Sequence, residues 1–467
     1  MPSKEPRIIS VVTIPLKTEK WQEDRIDKRM EMCKDIYNSL LAKKLKQLRK
    51  IESDPDYKNA LEIIATPYKC EDKKKISEIK KSDEYKKAIQ FTRDMLNEAN
   101  FNEFGIMKEA MAESKYYSEN MSATIAARTI GKPMWAAFKA YLYGDGEAVH
   151  FKKKGGINIL AADGRTGLRI ANSKGRGVHK RRENEPLYCM SGTKGQVMLK
   201  MPLIIDPQDT YLNEMLKREF GQIILCRRKI RGKYKYFVQI CVQGPPMEKL
   251  DEDGNPLHPI SPDPIGVFIG TRFITVTSAN GTKTIDLKTD DQNEDEIAAL
   301  WTYMNNSRRA HNPDNYNEDG TIKNGIHKDG KNRPLHWNCS KGYYRAKNKL
   351  ADLKRKEAER RKIRSYEIAN EILTMGSKIV VNNFSFKGAS MRTKEDEFDE
   401  NVNQTTNRKR GKDIAENAPS QILTIIDNKL TASGLEKMIR ITLDIDYDLD
   451  NYRELYSRML YERAKEL

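Results

Sequence analysis

From residue 26 to residue 48 the apolar positions Ile26, Met30, Cys33, Tyr37, Leu41, Leu45 and Leu48 recur every three or four residues. That period places them on one helix face and leaves lysines and arginines on the other. Before it, residues 7–16 (RIISVVTIPL) are β-branched and strand-like. Lysine-rich helical patterns continue to about residue 143, where YLYGDG breaks them with two glycines. The last of these helices carries Trp135, Phe138, Tyr141 and Leu142 on one face, read here as core. From 150 to 245 the period turns to that of strands, in HFKKKGGINIL, GQVMLKMPLII and GQIILCRRKIRGKYKYFVQICVQG. In the last of these a basic Arg-Gly-Lys turn separates two apolar arms, a hairpin signal.

A proline-rich acidic stretch, PPMEKLDEDGNPLHPISPDP, reads as a linker. Beyond it, two β-branched runs flank Asn280-Gly281, the strongest short hairpin signal. Residues 288–340 are polar, with a short helix near 295–305. A long basic helix follows over 341–375, with Leu350, Leu353, Ile363, Ile368 and Ile372 among its apolar positions. KIVVNNFSF is a short buried strand, and 389–415 a charged loop. A helix from Ser420 to about Ser433, the strand KMIRITLDI and a helix near 450–467 close the chain. The second half thus reads as an α/β layer.

Composition narrows the classes. The 467 residues carry 84 Lys and Arg against 67 Asp and Glu, a formal charge of +17. That surplus points to a polyanionic partner without saying which. No run of about 18 apolar residues predicts a membrane span. The start, MPSKEPRIISVVTIPL, is too polar and too short in its apolar part for a signal peptide. Six scattered cysteines, without a C-x-x-C, exclude a disulfide-stapled secreted scaffold.

The order of segments resembles the TnpB and miniature type V CRISPR effector family. IGVFIGTRFITVTSANG resembles its first RuvC motif, I-G-V-D-x-G-T; VVNNFSFKG resembles the second, V-V-E-D-x-N-F-K-G; and YRELYSRML resembles the third, R-D-x-Y-S-A-x-L. SRRAHNPDNYNEDGTIK and the basic helix resemble the segment joining the first two motifs. GDGEAVHFKKK and RRKIRGKYKYFVQICV are similar to the family's wedge strands. The resemblance implies a multidomain α+β fold, a wedge-type β-barrel with an inserted helical recognition lobe, then an RNase H-like (RuvC) α/β domain. Its boundaries would be 1–20 and 145–248 for the wedge, 21–144 for the recognition lobe, 249–263 for a linker and 264–467 for the RuvC domain.

What the resemblance implies about chemistry is a loss. A RuvC centre clamps two divalent cations with three carboxylates, because hard oxygen ligands suit them. The matching positions hold Phe268, Asn382 and Glu454. A ring cannot ligate a cation, and an amide brings no negative charge. The family's zinc ribbon of two C-x-x-C pairs is missing too, since ITLDIDYDLDNYRELYS runs straight through and no cysteine follows Cys339. The implied protein is not an enzyme, has no catalytic metal or cofactor, and works with a guide RNA on complementary double-stranded DNA. Transcriptional control would follow, by blocking RNA polymerase or recruiting transcription machinery such as a sigma factor. The location would be cytoplasmic and nucleoid-associated; monomer and homodimer both stay open. Two alternatives stay open as well: a rescued nuclease with a displaced metal site among Asp263, Asp286, Asp444 and Asp446, and a structured-RNA-binding transposon relic. His311, His327, His336 and Cys339 share one polar loop, and His336-x-x-Cys339 has a ligand-like spacing.

Four basic runs are candidate phosphate contacts: Lys152, Lys153 and Lys154; Lys180, Arg181 and Arg182; Arg227, Arg228, Lys229, Arg231, Lys233 and Lys235; and Lys354, Arg355, Arg360, Arg361 and Lys362. Such contacts give affinity and salt dependence but no sequence readout. Tyr234 and Tyr236 interleave with the hairpin run and are candidates for packing or for stacking on a base. By resemblance, Ser122, Thr124, Arg128 and Lys132 lie in the recognition lobe near the DNA motif that flanks the target.

Overall fold

A computed structural model describes residues 8–69, 73–143, 146–173, 185–288, 293–323, 335–390, 397–398, 404–405, 411–446 and 449–466. The chain divides into two compact units, residues 1–228 with 234–244, and residues 229–233 with 245–467.

In the first unit, β1 (Ile9–Pro15) leads into α1 (Lys20–Ser53), whose inward stripe includes Ile26, Met30, Cys33, Leu40, Leu41 and Leu48. Side-chain caps start several of the following helices. Asp54 accepts from the Asp56 and Tyr57 N–H groups and Pro55 opens α2 (Pro55–Ala65). After α3 (Lys73–Lys81), Ser82 caps α4 (Asp83–Glu98), and Asn102 caps α5 (Glu103–Glu113). Ser122 caps α6 (Ala123–Ala126), which runs through a π-helical stretch, Ala127–Gly131, into α7 (Lys132–Leu142). The π-turn sets Thr129 against the sheet, where its Oγ1 accepts from the Ala161 N–H at 2.8 Å. Gly131 is needed there, because a Cβ would lie 2.6 Å from the Met107 Cα. On α7 the buried residues are Met134 and Phe138, and Trp135 is half-buried.

Two antiparallel sheets complete this unit. One has the order β1, β7 (Lys233–Gln243), β6 (Phe220–Ile230), β2 (Ile159–Ala162); the other runs β3 (Leu168–Asn172), β4 (Leu187–Ser191), β5 (Leu199–Pro202). A bridge between Leu16 and Leu203 and a bond from the Ile204 N–H to the Pro15 carbonyl join them. Arg29, buried on α1, donates to the Ser191 hydroxyl at 2.7 Å, and burial, with Arg25 nearby, lowers its guanidinium to about 10. The β6–β7 hairpin turns on Arg231 and Gly232, at φ of 49° and 80°, a pair of left-handed residues that matches strand twist. Two expectations change. HFKKKGGIN is irregular and the strand starts only at Ile159, while β3, β4 and the short α8 (Thr210–Met215) lie where no element was expected.

The second unit is built on a mixed sheet of order β10 (Gly281–Asp286), β9 (Phe273–Ser278), β8 (Pro264–Ile269), β11 (Lys378–Asn382), β14 (Ile439–Ile441). The first three strands are antiparallel, and β11 runs parallel to both β8 and β14. The hairpin register is one residue off the expected Asn-Gly turn, since Ser278 pairs with Gly281 and Ala279–Asn280 form the loop. Before β11 come α9 (Glu294–His311) and α10 (Lys341–Met375); after it come α11 (Phe386–Ser390), the two-residue strands β12 (Glu397–Phe398) and β13 (Gln404–Thr405), α12 (Gly411–Asn417) and α13 (Pro419–Ala432). α14 (Tyr452–Glu466) ends the unit. Strand alternation sorts β8: Ile265, Val267 and Ile269 share a core with Ile368 and Ile372 of α10 and Ile422 and Ile426 of α13. Phe268 joins Val380, Tyr456, Leu460 and Ala464 in a separate core under α14. Gly266 lets that helix approach, since a Cβ would stand 2.1 Å from the Tyr461 nitrogen.

Candidate functional site

At the C-terminal end of β8 the three positions matched to a metal centre do three different things. Phe268 is 4% exposed. Its ring stacks on Tyr456 at 5.9 Å and 23°, and meets Tyr452 edge-on at 5.8 Å. Asn382, 2% exposed, uses both ends of its amide: Oδ1 accepts from the Ile269 N–H at 2.6 Å and Nδ2 donates to the Ile269 carbonyl at 3.0 Å. This side chain extends the β8–β11 ladder by one rung, and a carboxylate, acceptor only, could make one of the two bonds. Glu454 is exposed in the first turn of α14. A ring, a saturated amide and a solvent-facing acid do not fit a pair of divalent cations.

The other candidate acids do not gather either. Asp263 precedes β8, at the end opposite Phe268, and accepts from the Ser261 hydroxyl. Asp286 pairs with Arg272 at 3.2 Å. Burial pushes its carboxyl up, but donation from Lys288 N–H and Arg272 outweighs this and holds it below the usual value. Tyr456 bonds the backbone of Asp444 and Asp446, whose side chains are exposed. His311 Nδ1 bonds the Ser307 carbonyl, the His336 carbonyl accepts from Asn315, and His327 lies outside the described residues. Among the described residues no three His, Cys, Asp or Glu side chains come together as a ligand set.

The basic runs separate by context. Lys152, Lys153 and Lys154 are exposed in a loop, with the Lys152 ammonium 5.3 Å over the Tyr37 ring. Lys180, Arg181 and Arg182 lie outside the described residues. Arg227 faces inward, 6% exposed. It pairs with Asp27 at 2.6 Å, donates to Asn158 and the Ile157 carbonyl, and lies 4.4 Å over Tyr234. Tyr236 is buried and donates to the same Asp27 oxygen at 2.9 Å; burial first, then that bond, raises its phenol. Tyr234 is 38% exposed. Arg228 covers Phe237, and Lys229, Arg231, Lys233 and Lys235 are exposed.

On α10, Lys354 is exposed and its ammonium lies 5.2 Å over Trp301. Arg355 is held by Asp352 and Glu359 at 2.9 and 2.7 Å. Arg361 donates to the Ala415 carbonyl, Arg360 is half-buried and Lys362 exposed. In the first unit Ser122 is a buried cap. Thr124 meets the Thr166 hydroxyl at 2.8 Å, and Lys132 is exposed. Arg128 stands near Asp163: burial pushes that carboxyl up, but Thr166 and Arg165 donors and the Arg128 charge hold it down.

No protein-family model matches the chain, and no curated protein matches it in sequence. Solved structures to which it is similar include Cas12f and Cas12i1 complexes. A Cas12f1–sgRNA–target DNA complex aligns with a TM-score of 0.37 and 12% identity, over 93% of this chain and 89% of that one. A CRISPR-Cas12f ternary complex aligns at 0.26 and 11%, over 98% and 94%. A Cas12i1 R-loop complex before target cleavage aligns at 0.28 and 8%, over 90% of this chain and 56% of that one.

One cluster at the same end of β8 was not singled out by the sequence. Arg272, in the β8–β9 loop, and Arg453, in the first turn of α14, both lie over the Phe273 ring, at 5.1 and 4.3 Å. The Arg453 Nε donates to the Tyr452 hydroxyl at 3.1 Å, and Tyr452 in turn packs on Phe268. No spacing rule joins residues so far apart in sequence.

Proposed function

We propose that the chain is an RNA-guided DNA-binding protein that does not cut, whose guide RNA pairs with one strand of a DNA duplex. The observation that carries this reading is the pair Phe268 and Asn382, one locked in an aromatic core and one closing a strand ladder, where the motif resemblance would put two metal-holding carboxylates. The mixed sheet with helices on both faces supports an RNase H-like reading of residues 264–467. The bridged antiparallel sheets and the helices between β1 and β2 support a wedge barrel with an inserted helical lobe. In such a protein base pairing supplies specificity, and protein cations hold the hybrid through its backbone. Binding without cutting leaves a roadblock to RNA polymerase or a platform for transcription machinery such as a sigma factor.

Two measurements test it. RNA that co-purifies with the protein, once sequenced, is expected to be one discrete species with a variable terminal segment. Loaded with that RNA, the protein is expected to shift a matched duplex far more than a scrambled one. It is also expected to leave the duplex intact in magnesium or manganese. A cut product would overturn the inactive reading, and equal binding of matched and scrambled DNA would overturn the guided one. The double variant F268D/N382E is expected to fall short of full cutting, because the zinc ribbon is missing.

A further inference from the structure

We propose that Arg272, Arg453 and Phe273 form a phosphate clasp that holds the backbone of a nucleic-acid strand at the C-terminal end of β8. This inference rests on the nucleic-acid reading above and names a contact within it.

Each guanidinium lies within 5.1 Å of the same ring centroid, so the two cations are within about 10 Å of each other, close to a Debye length at 0.1 M salt. Two like charges so placed repel, and the protein offers them little compensation. Asp286 pairs with Arg272 at 3.2 Å, but the two side chains are 43% and 51% exposed, and such a pair is worth at most about 1 kcal/mol. Arg453 makes no ion pair among the described residues; its one hydrogen bond runs from Nε to the Tyr452 hydroxyl. Its two terminal nitrogens, with their N–H groups, are left for a ligand.

Contact with Phe273 restrains both guanidinium groups while leaving the terminal donors of Arg453 and part of the Arg272 fork open, which suits a tetrahedral oxyanion better than two freely rotating lysines would. Among the described residues the one carboxylate that takes any of those donors is Asp286, on the Arg272 Nη2. Phe268 is apolar, and the amide of Asn382 is used up on Ile269. Charged residues around the pair include Asp286 on β10, Lys288 just beyond it, Glu454 next to Arg453 in sequence, and Asp413 and Glu416 of α12, whose Asn417 bonds the Thr271 carbonyl. The place that the family resemblance assigns to cations therefore carries two guanidinium cations of its own, and an anion fits it.

The test uses the full chain and short scrambled single strands, DNA in one arm and RNA in the other, with binding followed by anisotropy across a salt series. For a single strand, each phosphate that the protein no longer neutralises lowers the slope of log K against log salt by about 0.7. R272Q/R453Q is expected to lower it by about 1.4 and to weaken binding about tenfold at low salt. R272K/R453K keeps both charges and is expected to keep the slope. A fall in either arm supports the clasp and says which strand it prefers. An unchanged slope in both arms overturns it, even where the thermal midpoint drops, because a purely structural pair would move only the midpoint. If matched duplex binds no better than scrambled while the slope still falls, the guided reading fails and the clasp stands. If guided binding holds and the slope does not move, the clasp alone fails.

Discussion

Arg227 and Arg453 each lie over an aromatic ring at nearly the same distance, 4.4 Å above Tyr234 and 4.3 Å above Phe273. Their surroundings are opposite. Arg227 is buried, pairs with Asp27 and donates to two further acceptors, so its charge is consumed inside the first unit. Arg453 shares its ring with a second arginine and has no carboxylate partner among the described residues. The ring fixes the guanidinium in both cases. The nearby carboxylate decides whether the charge serves the fold or a ligand.

Removing Asp27 should sharpen that contrast most. Asp27→Ala leaves a buried guanidinium unpaired and the Tyr236 hydroxyl without its acceptor, a loss of about 3–4 kcal/mol. Hydrogen exchange of β6 and β7 amides reads it; protection like that of the parent chain would mean Arg227 finds other partners. Phe268→Asp is expected to cost about 3 kcal/mol, by removing an aromatic packing partner and burying an acid among Tyr456, Leu460 and Val380. Urea unfolding with and without magnesium checks this. A variant made as stable as the parent by the ion would mean that the new carboxylate binds magnesium at this end of β8. Asn382→Asp should cost about 2 kcal/mol, since the Ile269 carbonyl loses its donor. It should grow less harmful as pH falls and the carboxyl regains a proton to donate, which a pH series of unfolding midpoints would read. Arg453→Gln should change stability by less than about 0.5 kcal/mol while lowering the salt slope; a destabilisation as large as that at Asp27 would erase the contrast.

Regular periodicity made the long elements legible. The helix read over 341–375 spans Lys341–Met375, and KIVVNNFSF contains β11. Short strands were missed because LRIAN and LYCMS are five residues each, with too little alternation to separate from their polar flanks. Motif order drew attention to Phe268 and Asn382 but not to their contacts, since Tyr456 and Ile269 reach them through tertiary packing. Sequence also ranked Arg227 with Arg228, because the Asp27 that neutralises it is 200 residues away. Arg272 and Arg453 were passed over for the converse reason: neither stands in a basic run, and only the fold brings both to Phe273.

The amide of Asn382 and the ring of Phe268 also set a direction on change. Any path from this pair to two carboxylates passes through an intermediate with one of them. A lone acid at 382 unpairs a strand rung, and a lone acid at 268 opens the core under α14. Either intermediate has only the exposed Glu454 as a second acid at the matched positions to offset its loss. Each of the two side chains is thus held by its own packing against change one substitution at a time.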